Sequence, residues 1–475
     1  MTDGLLFAQQ VFSDQVTSEE FSQTAFYMLA TAAVVLAIGG MCLVDLGLVQ
    51  RKNVLDTCMQ KLIGSLIGGF SFAIVGYAVW NWQYNTAFEV PNSLGQSISD
   101  WWLGGTNLVT FSQNLDPAVV PHADVLQVFL PFNMAFAAVV CSFIHSIGIE
   151  RMKASAFYII CGVVGGVIFP VVLYLMWGSV SPLTARGVHD FVGVFPLYIF
   201  VGFFGLLLAW RLGPRLGAFS RHAETAGPAP YNQGLTAVGV GLLLFAISIF
   251  AMGCGFFIPG EGYYGITWTT SGLGITISNV VMAFCAGALG GAVVGYLTRN
   301  LIIAMTGPLA GWIAIASGAD ILKPWEVAII SGVAPIVALI GYTLLLRLRV
   351  DEKKIVPLGL FVGVYGCLAV GLFAWGTPTG GYPGIDSGTY AFQGAEVNVL
   401  WQAIGIAGTA VLAIVAGGLL IAIVEKTVGL RVNEADEIRG LDLTYWDMHG
   451  CLDGDVGATM RRDAPPAEPK VAEPV

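Results

Sequence analysis

Charged residues are scarce in this 475-residue chain: they form 11% of it, against about a quarter of an average soluble domain. Lysine and arginine are also outnumbered, 21 to 31, by aspartate and glutamate, which gives a net charge of −10. This balance argues against nucleic acid as a partner, because phosphate binding needs a basic surface. Apolar residues form 56% of the chain and glycine contributes 61 residues, a composition typical of closely packed transmembrane helices.

Signatures of catalysis and metal binding are missing as well. The eight cysteines include no CxxC pair and mostly lie in apolar runs, so we interpret them as packing residues and predict no metal site. No GxxxxGK[ST], GxGxxG, HExxH or Ser/His/Asp pattern is present, so nothing supports an enzyme or a bound cofactor. The N-terminus lacks the basic and apolar segments of a signal peptide, and we predict no cleavage there.

Apolar runs that approach the roughly 20 residues needed to cross a bilayer occur eleven times. We therefore predict an all-α, polytopic membrane protein. The predicted spans are 25–49, 61–81, 125–148, 154–176, 190–212, 234–257, 271–297, 301–318, 325–346, 355–376 and 396–427. The chain then divides into an extracytoplasmic segment 1–24, a transmembrane domain 25–427 and a cytoplasmic tail 428–475, whose Pro/Ala-rich end is expected to be disordered.

Basic residues indicate how the spans are oriented. With eleven spans, 19 of the 21 lysines and arginines fall on one side, and only Arg186 and Lys323 fall on the other. Cytoplasmic loops carry the excess of basic residues, so we expect the N-terminus outside and the C-terminus in the cytoplasm, in the inner (plasma) membrane.

An internal repeat links the fifth and tenth spans. Residues 195–205 (FPLYIFVGFFG) and 356–366 (VPLGLFVGVYG) share the pattern P-L-x-x-F-V-G-x-x-G. Because five spans separate the two copies, spans 1–5 and 6–10 would form an inverted repeat, followed by an eleventh helix. Such repeats place a substrate path at their interface.

Two further segments resemble the ammonium transporter (Amt/Mep/Rh) family. GLVQRKNVLD, from Gly47 to Asp56, is similar to the family's segment after the first span, and GLRVNEADEIRGLDLTYWDMHG, from Gly429 to Gly450, is similar to its tail. The resemblance covers residues 25–450 and implies a homotrimer in the lipid bilayer, with one pore in each subunit. It also implies a tail that docks a PII-type signal protein, with Arg431 and Asp442 as anchors; a passive structural tail is the alternative.

Aromatic rings form the outer ammonium site in this family, since a ring face attracts a partly dehydrated cation. The resemblance places Phe132, Phe136, Trp177 and Phe256 at these positions, with Phe256 ending the sixth span. The serine expected soon afterwards is replaced around Gly260. Without the resemblance, packing or interfacial positions would explain the same aromatics.

The family's two pore histidines are not found at the matching positions. Tyr198 stands at the first, and the spacing places Gly359 at the second, or Leu360 if no gap is allowed. His122, His189, His222 and His449 fall outside the membrane core, and His145 lies near the end of the third span. A phenol is a poor proton relay at neutral pH, and a glycine would leave room for a solute larger than ammonia. Alternatively, Tyr198 packs across the pore and plugs it.

Two carboxylates lie at span ends. Asp190 opens the fifth span, where we expect it to cap the helix rather than to touch substrate. Asp45 lies near the end of the first span and either pairs with an arginine or lines the inner vestibule.

These features predict a channel or transporter for ammonium or a related small amine or amide, with selectivity altered by the missing histidines. The alternative is a membrane sensor that binds such a solute with little flux.

Overall fold

A computed structural model describes residues 18–110, 123–219, 229–258, 262–265, 269–382 and 385–447. Within these residues, nine helices are long and apolar enough to cross a membrane, and two shorter apolar helices accompany them. In chain order the eleven are Ser22–Leu48, Arg51–Ala87, Val128–Gly148, Ala154–Trp177, Phe195–Leu212, Gln233–Gly253, Leu273–Thr298, Leu301–Ile315, Pro324–Arg347, Pro357–Phe373 and Val399–Thr427. Each predicted run coincides with one of them, so the all-α polytopic architecture is confirmed.

The second span is the one whose length the apolar run underestimates most. It extends from Arg51 to Ala87 because polar residues at both ends are helical, including a 3₁₀ turn at Arg51–Asn53. Two short helices follow it, Ser93–Trp101 and Thr106–Thr110. Trp101 is buried and packs edge-on against Tyr77 with ring centroids 4.7 Å apart, which anchors the first of these helices on the bundle.

π-Helical turns interrupt both helices that carry the repeat. They occupy Phe195–Ile199 and Pro357–Val362, and each has a proline in its first turn. Similar turns lie at Phe72–Gly76, Val164–Ile168 and Ala413–Gly417. The two turns lie at matching positions of the repeat, and each proline stands where its missing N–H costs no helical hydrogen bond.

The two repeat copies pack on each other reciprocally. A Cβ placed on Gly202 would lie 2.5 Å from the backbone nitrogen of Leu360, and one on Gly363 would lie 3.1 Å from Cγ1 of Ile199. Gly202 corresponds to Gly363 in the repeat, and Ile199 corresponds to Leu360. An exchange of equivalent partners is the signature of a two-fold axis, as expected for an inverted repeat.

Two faces of the bundle are distinguished by their loops. The tail face is the end at which residues 429–447 pack, with the helices Glu434–Arg439 and Leu441–Trp446. The opposite end is the loop face. It carries an antiparallel sheet of β1 (Gly255–Ile258), β2 (Gly262–Gly265) and β3 (Thr270–Ser271), and a two-stranded sheet of β4 (Pro378–Thr379) and β5 (Ala395–Glu396).

The small sheet corrects the prediction that Phe256 ends the sixth span. The helix ends at Gly253, and Phe256 lies in β1, where it pairs with Tyr264 of β2. The ring of Tyr263 lies over Gly255, where a Cβ would be 1.9 Å from that ring, so β1 needs glycine at this position. Gly260, the predicted replacement for serine, lies outside the described residues, as do His122, His222, His449 and residues 1–17 and 448–475.

Candidate functional site: a central path through the bundle

Three of the predicted aromatic residues form one cluster near the loop face. Phe132 and Phe136, one helical turn apart in the third span, meet edge-on at 4.9 Å, and Trp177 at the end of the fourth span lies 5.8 Å from Phe136. The Trp177 indole N–H donates to the carbonyl oxygen of Phe191 at 3.1 Å, which fixes the ring. Phe132, Phe136 and Trp177 expose 0%, 2% and 1% of their surface. The cluster is therefore a packed plug in this structure and not an open vestibule.

Further aromatic residues that the sequence reasoning missed extend this cluster; Tyr27 and Phe129 meet Phe132 at 5.6 and 6.0 Å. Trp80 stacks on Trp177 with centroids 5.3 Å apart, and Phe250 meets Phe136 edge-on at 5.7 Å. Phe250 lies within the sixth span, six residues before Phe256. Its position inside the helix was the sequence feature that could have identified it.

Below the plug lies an apolar cavity of about 70 Å³, which we call the central cavity. Side chains of spans one, three, five, six, eight and ten line it, with Phe136 and Phe250 at the aromatic cluster. Among its lining side chains, polar groups come from Tyr198, Thr236, Thr306 and Lys354. A small solute in this space would have few hydrogen-bond partners, so a charged species pays a large desolvation cost there.

Tyr198 projects into the central cavity from the π-helical turn of the fifth span. Its hydroxyl accepts a hydrogen bond of 3.2 Å from the indole nitrogen of Trp312, which is fully buried in the eighth span. Its ring lies 5.7 Å from that of Phe143. Trp312 was not singled out from the sequence, although it is the one tryptophan of the described eighth helix.

Gly359 also lines the central cavity, whereas Leu360 does not and packs on Gly202. Of the two alignments considered, the one that matches Gly359 to the second histidine therefore places a residue in the path, and the one that matches Leu360 does not. However, Gly359 does not leave a ring-sized gap: a Cβ there would lie 2.6 Å from the backbone oxygen of Tyr198. The fifth and tenth spans approach closely at this point, and backbone fills the volume that an imidazole would need.

Of the two histidines that the structure describes, His145 and His189, neither lines the central cavity. His145 is buried, and its ring packs 4.9 Å from that of Phe157. His189 lies before the fifth span but is also fully buried, with Nδ1 2.9 Å from the Thr379 hydroxyl and Nε2 3.0 Å from Oδ1 of Asp320. These contacts hold the loops of the loop face together.

Asp190 caps the fifth span, where its position had suggested this role. Its carboxylate accepts hydrogen bonds from the backbone nitrogens of Gly193, Val194 and Phe195 at 2.9, 2.7 and 2.9 Å. The residue is fully buried and does not line the central cavity. Its carboxylate therefore satisfies helix N–H groups and is not available to a solute in the path.

Asp45 pairs with two lysines, and not with the arginine that the sequence suggested. Its Oδ2 lies 2.8 Å from Nζ of Lys61, and its Oδ1 forms a salt bridge with Nζ of Lys354. The Ser146 hydroxyl donates to Oδ2 at 2.7 Å, and Lys61 also donates to the carbonyl oxygen of Ser142. All three charged residues are buried, so the cluster places two ammonium groups on one carboxylate at the tail-face end of the path.

The tail packs against the loops of the tail face. Arg431 donates to the carbonyl oxygens of Leu212 and Pro214 at 2.7 and 2.8 Å and pairs with Glu437 at 2.6 Å. Asp442 is buried and accepts the backbone N–H of Asp56 at 2.7 Å at the start of the helix Val54–Ser71. Arg431 and Asp442 therefore bind different parts of the bundle, and both hold the tail against it.

Sequence comparisons with known proteins all point to ammonium transporters. A sequence profile of the Ammonium Transporter Family matches residues 25–450. The chain is 24% identical over 424 residues to ammonium transporter Amt1 of Methanocaldococcus jannaschii, covering 88% of this chain and 94% of that one. It is 27% identical over 437 residues to the ammonium transporter of Bacillus subtilis, covering 91% and 98%.

Solved structures share the fold at lower identity. A protein titled Sensor Amt Protein superposes with a TM-score of 0.71 at 21% identity, covering 90% of this chain and 99% of that one. Mep2 of Candida albicans superposes with a TM-score of 0.69 at 18% identity, covering 89% and 88%.

Proposed function

The chain belongs to the ammonium transporter family, and from this premise we propose that it conducts ammonium, or a related small amine or amide, through its central cavity. The observation that carries this proposal is the apolar cavity itself, which lies between the two repeat halves and is lined by Tyr198 and Gly359. The cavity extends from the aromatic cluster at one end to Lys354 at the other. A conducted solute would meet these sites in that order.

Selectivity is proposed to differ from that of relatives with two pore histidines. No imidazole of the described residues lines the central cavity, and a phenol exchanges protons poorly at neutral pH. Besides the Tyr198 hydroxyl, the described wall offers two threonine hydroxyls, the Lys354 ammonium group and the Trp312 indole N–H, which already donates to Tyr198. We infer a path that favours a neutral amine or amide over a proton-coupled cation.

The orientation and assembly are part of the same proposal. We place the tail face in the cytoplasm of a cell bounded by the inner (plasma) membrane, with residues 1–24 outside, 25–427 in the membrane and 428–475 as the regulatory tail. We propose a homotrimer as well, from the family membership; the seventh, ninth and eleventh spans, whose most apolar windows are 33%, 39% and 28% buried, leave apolar surface exposed. Such surfaces need lipid or another subunit to cover them.

The tail contacts support docking of a PII-type signal protein on the tail face, with Arg431 and Asp442 holding the docking surface in place. Full-length protein should capture a PII-type protein, and protein truncated after Val428 should not. Equal capture by both would leave the tail a passive structural element.

A membrane sensor is the second candidate, because the aromatic cluster closes the path at the loop face in this structure. Solute uptake into liposomes separates the two functions. Purified protein should admit ammonia and methylamine, whereas a sensor would bind them without flux.

A cavity-filling pair of variants makes this assay specific. Val201 is fully buried and lines the central cavity, so Val201→Phe should block the path. Val238 is 61% exposed on the sixth span, so Val238→Phe adds the same volume outside the path and should leave flux unchanged. Equal flux through both folded variants would contradict conduction through the central cavity.

A further inference from the structure

A second cavity, of about 440 Å³, lies at the tail face next to the central cavity. We call it the inner cavity. The two cavities share Leu48, Ile302 and Lys354 in their walls, so Lys354 stands at the junction between them. The rest of the inner cavity is lined from the connections between spans three and four, five and six, seven and eight, and nine and ten, and by Tyr342 of the ninth span.

The walls of the inner cavity carry an excess of positive charge. Its lining side chains include five basic ones, Arg151, Arg215, Arg299, Lys353 and Lys354, and two acidic ones, Asp351 and Glu352. Arg215 is paired with Asp351 and Glu150, and Lys354 with Asp45, so the excess comes from Arg151, Arg299 and Lys353. Both acids are already engaged. Asp351 accepts from Nε of Arg215 at 2.7 Å, and Glu352 accepts the backbone N–H groups of Ile355 and Val356 at the start of the tenth span.

Arg151 supplies a fixed charge that no carboxylate in the described part of the chain neutralises by direct pairing. It is 1% exposed, and its Nη atoms donate to the carbonyl oxygens of Ile149 and Asp351 at 3.3 and 3.0 Å. Its Nε has no hydrogen-bond partner among the described residues. An arginine buried without an ion pair is uncommon, because the charge has lost its hydration.

Lys353 and Arg299 add an ammonium and a guanidinium group to the lining of the inner cavity. Lys353 is half-buried and Arg299 is exposed, and neither has an ion pair within the described residues. Lys354 adds to their field, because it shares the Asp45 carboxylate with Lys61. A concave surface lined by one sign of charge concentrates counter-ions of the other sign.

We propose that the inner cavity binds a phosphate-type oxyanion, contacted by Lys353 and Arg299 and attracted by the fixed charges of Arg151 and Lys354. Ammonium and guanidinium groups are the side chains that bind phosphate oxygens most strongly in proteins. The site lies at the tail-face end of the proposed path, but its ligand is not the conducted solute, because a cationic or neutral amine gains nothing from this field. The oxyanion is either free phosphate or the headgroup of a lipid.

Calorimetric titration of purified full-length protein in neutral detergent tests the site, with inorganic phosphate in one arm and short-chain phosphatidylglycerol in the other. Binding should be saturable and should weaken about tenfold in Lys353→Gln and in Arg299→Gln, the loss expected for one charge-assisted hydrogen bond. Lys426→Gln and Arg347→Gln remove the same charges from exposed positions outside the cavity and should bind as the wild type does.

Binding of phosphate identifies a soluble oxyanion, and binding of the lipid alone identifies a headgroup, provided that the cavity variants weaken it. The proposal is overturned if neither probe binds, or if the control variants weaken binding as much as the cavity variants. The readout is affinity and not flux, so loss of the transport proposal leaves this result unaffected.

Discussion

Trp312 donates its indole N–H to the hydroxyl of Tyr198, across 3.2 Å and 114 positions of the chain. This bond fixes the one polar group that the fifth span presents to the central cavity. The bond also distinguishes Tyr198 from a phenylalanine at this position, which would have no hydroxyl to accept it.

Removing the Tyr198 hydroxyl should therefore cost stability. Tyr198→Phe leaves the buried Trp312 N–H without its acceptor, at a cost of about 1–3 kcal/mol. Trp312→Phe should also destabilise the fold, but the double variant should cost less than the sum, because the two groups share one bond. Unfolding of the four proteins in detergent measures this coupling, and strict additivity would argue that the hydrogen bond contributes nothing.

Gly359 should not tolerate a side chain. Gly359→Ala places a Cβ 2.6 Å from the backbone oxygen of Tyr198, so we expect a lower unfolding temperature and a displaced fifth span. Gly241→Ala is the matched control, because no atom lies within 4 Å of its Cβ position, and it should be neutral or stabilise the sixth helix by up to about 1 kcal/mol. The double variant Tyr198→His with Gly359→His should not fold, for the same steric reason, whereas Tyr198→His alone should fold.

Trp177 should contribute to cation selection at the aromatic cluster. Trp177→Leu removes a ring whose attraction for a desolvated cation is about 2 kcal/mol, so binding of methylammonium should weaken roughly thirtyfold. Trp210→Leu makes the same change at a residue that is 66% exposed and should have no effect. Unchanged methylammonium affinity in Trp177→Leu would show that the cluster acts only as packing.

The Asp45 cluster should respond asymmetrically to neutralisation. Asp45→Asn leaves the ammonium groups of Lys61 and Lys354 buried without their carboxylate, and we expect a loss of about 3–5 kcal/mol. Lys354→Met leaves Asp45 and Lys61 as a balanced pair and should cost clearly less. Chemical unfolding of both variants tests this order, and the reverse order would mean that Lys354 and not Asp45 dominates the cluster.

Asp351 should make stability depend on pH. Burial acts to raise the pKa of this carboxyl, but the hydrogen bond and charge of Arg215, with the charge of Arg151, hold its pKa well below its usual range. A lowered pKa stabilises the fold fully above the unfolded value of about 3.9, and this stabilisation is lost as pH falls through the folded value. Asp351→Asn should thus be less stable than wild type at neutral pH.

The difference between the two proteins should shrink as the pH falls below about 4. Unfolding temperatures measured in detergent across this range show whether it does. The exposed Asp386→Asn variant should differ little from wild type at any pH, and a constant gap for Asp351→Asn would contradict the assignment.

The sequence by itself determined the membrane architecture. Eleven apolar runs correspond to eleven helices because the bilayer imposes the same local requirement on every span, namely about 20 apolar residues with internally bonded backbone. The repeat at 195–205 and 356–366 identified the interface between the halves, and the capping role of Asp190 followed from its position before a helix. Each of these inferences depends on neighbours close in the chain.

Tertiary structure alone decided how the path is lined. Asp45 pairs with Lys354, 309 positions away, Tyr198 accepts a hydrogen bond from Trp312 of another span, and Phe250 contacts Phe136 in the aromatic cluster. Which faces of two helices meet depends on packing across the whole bundle, so spacing along one helix does not reveal it. For the same reason the sequence suggested empty space at Gly359, whereas close approach of two backbones fills it.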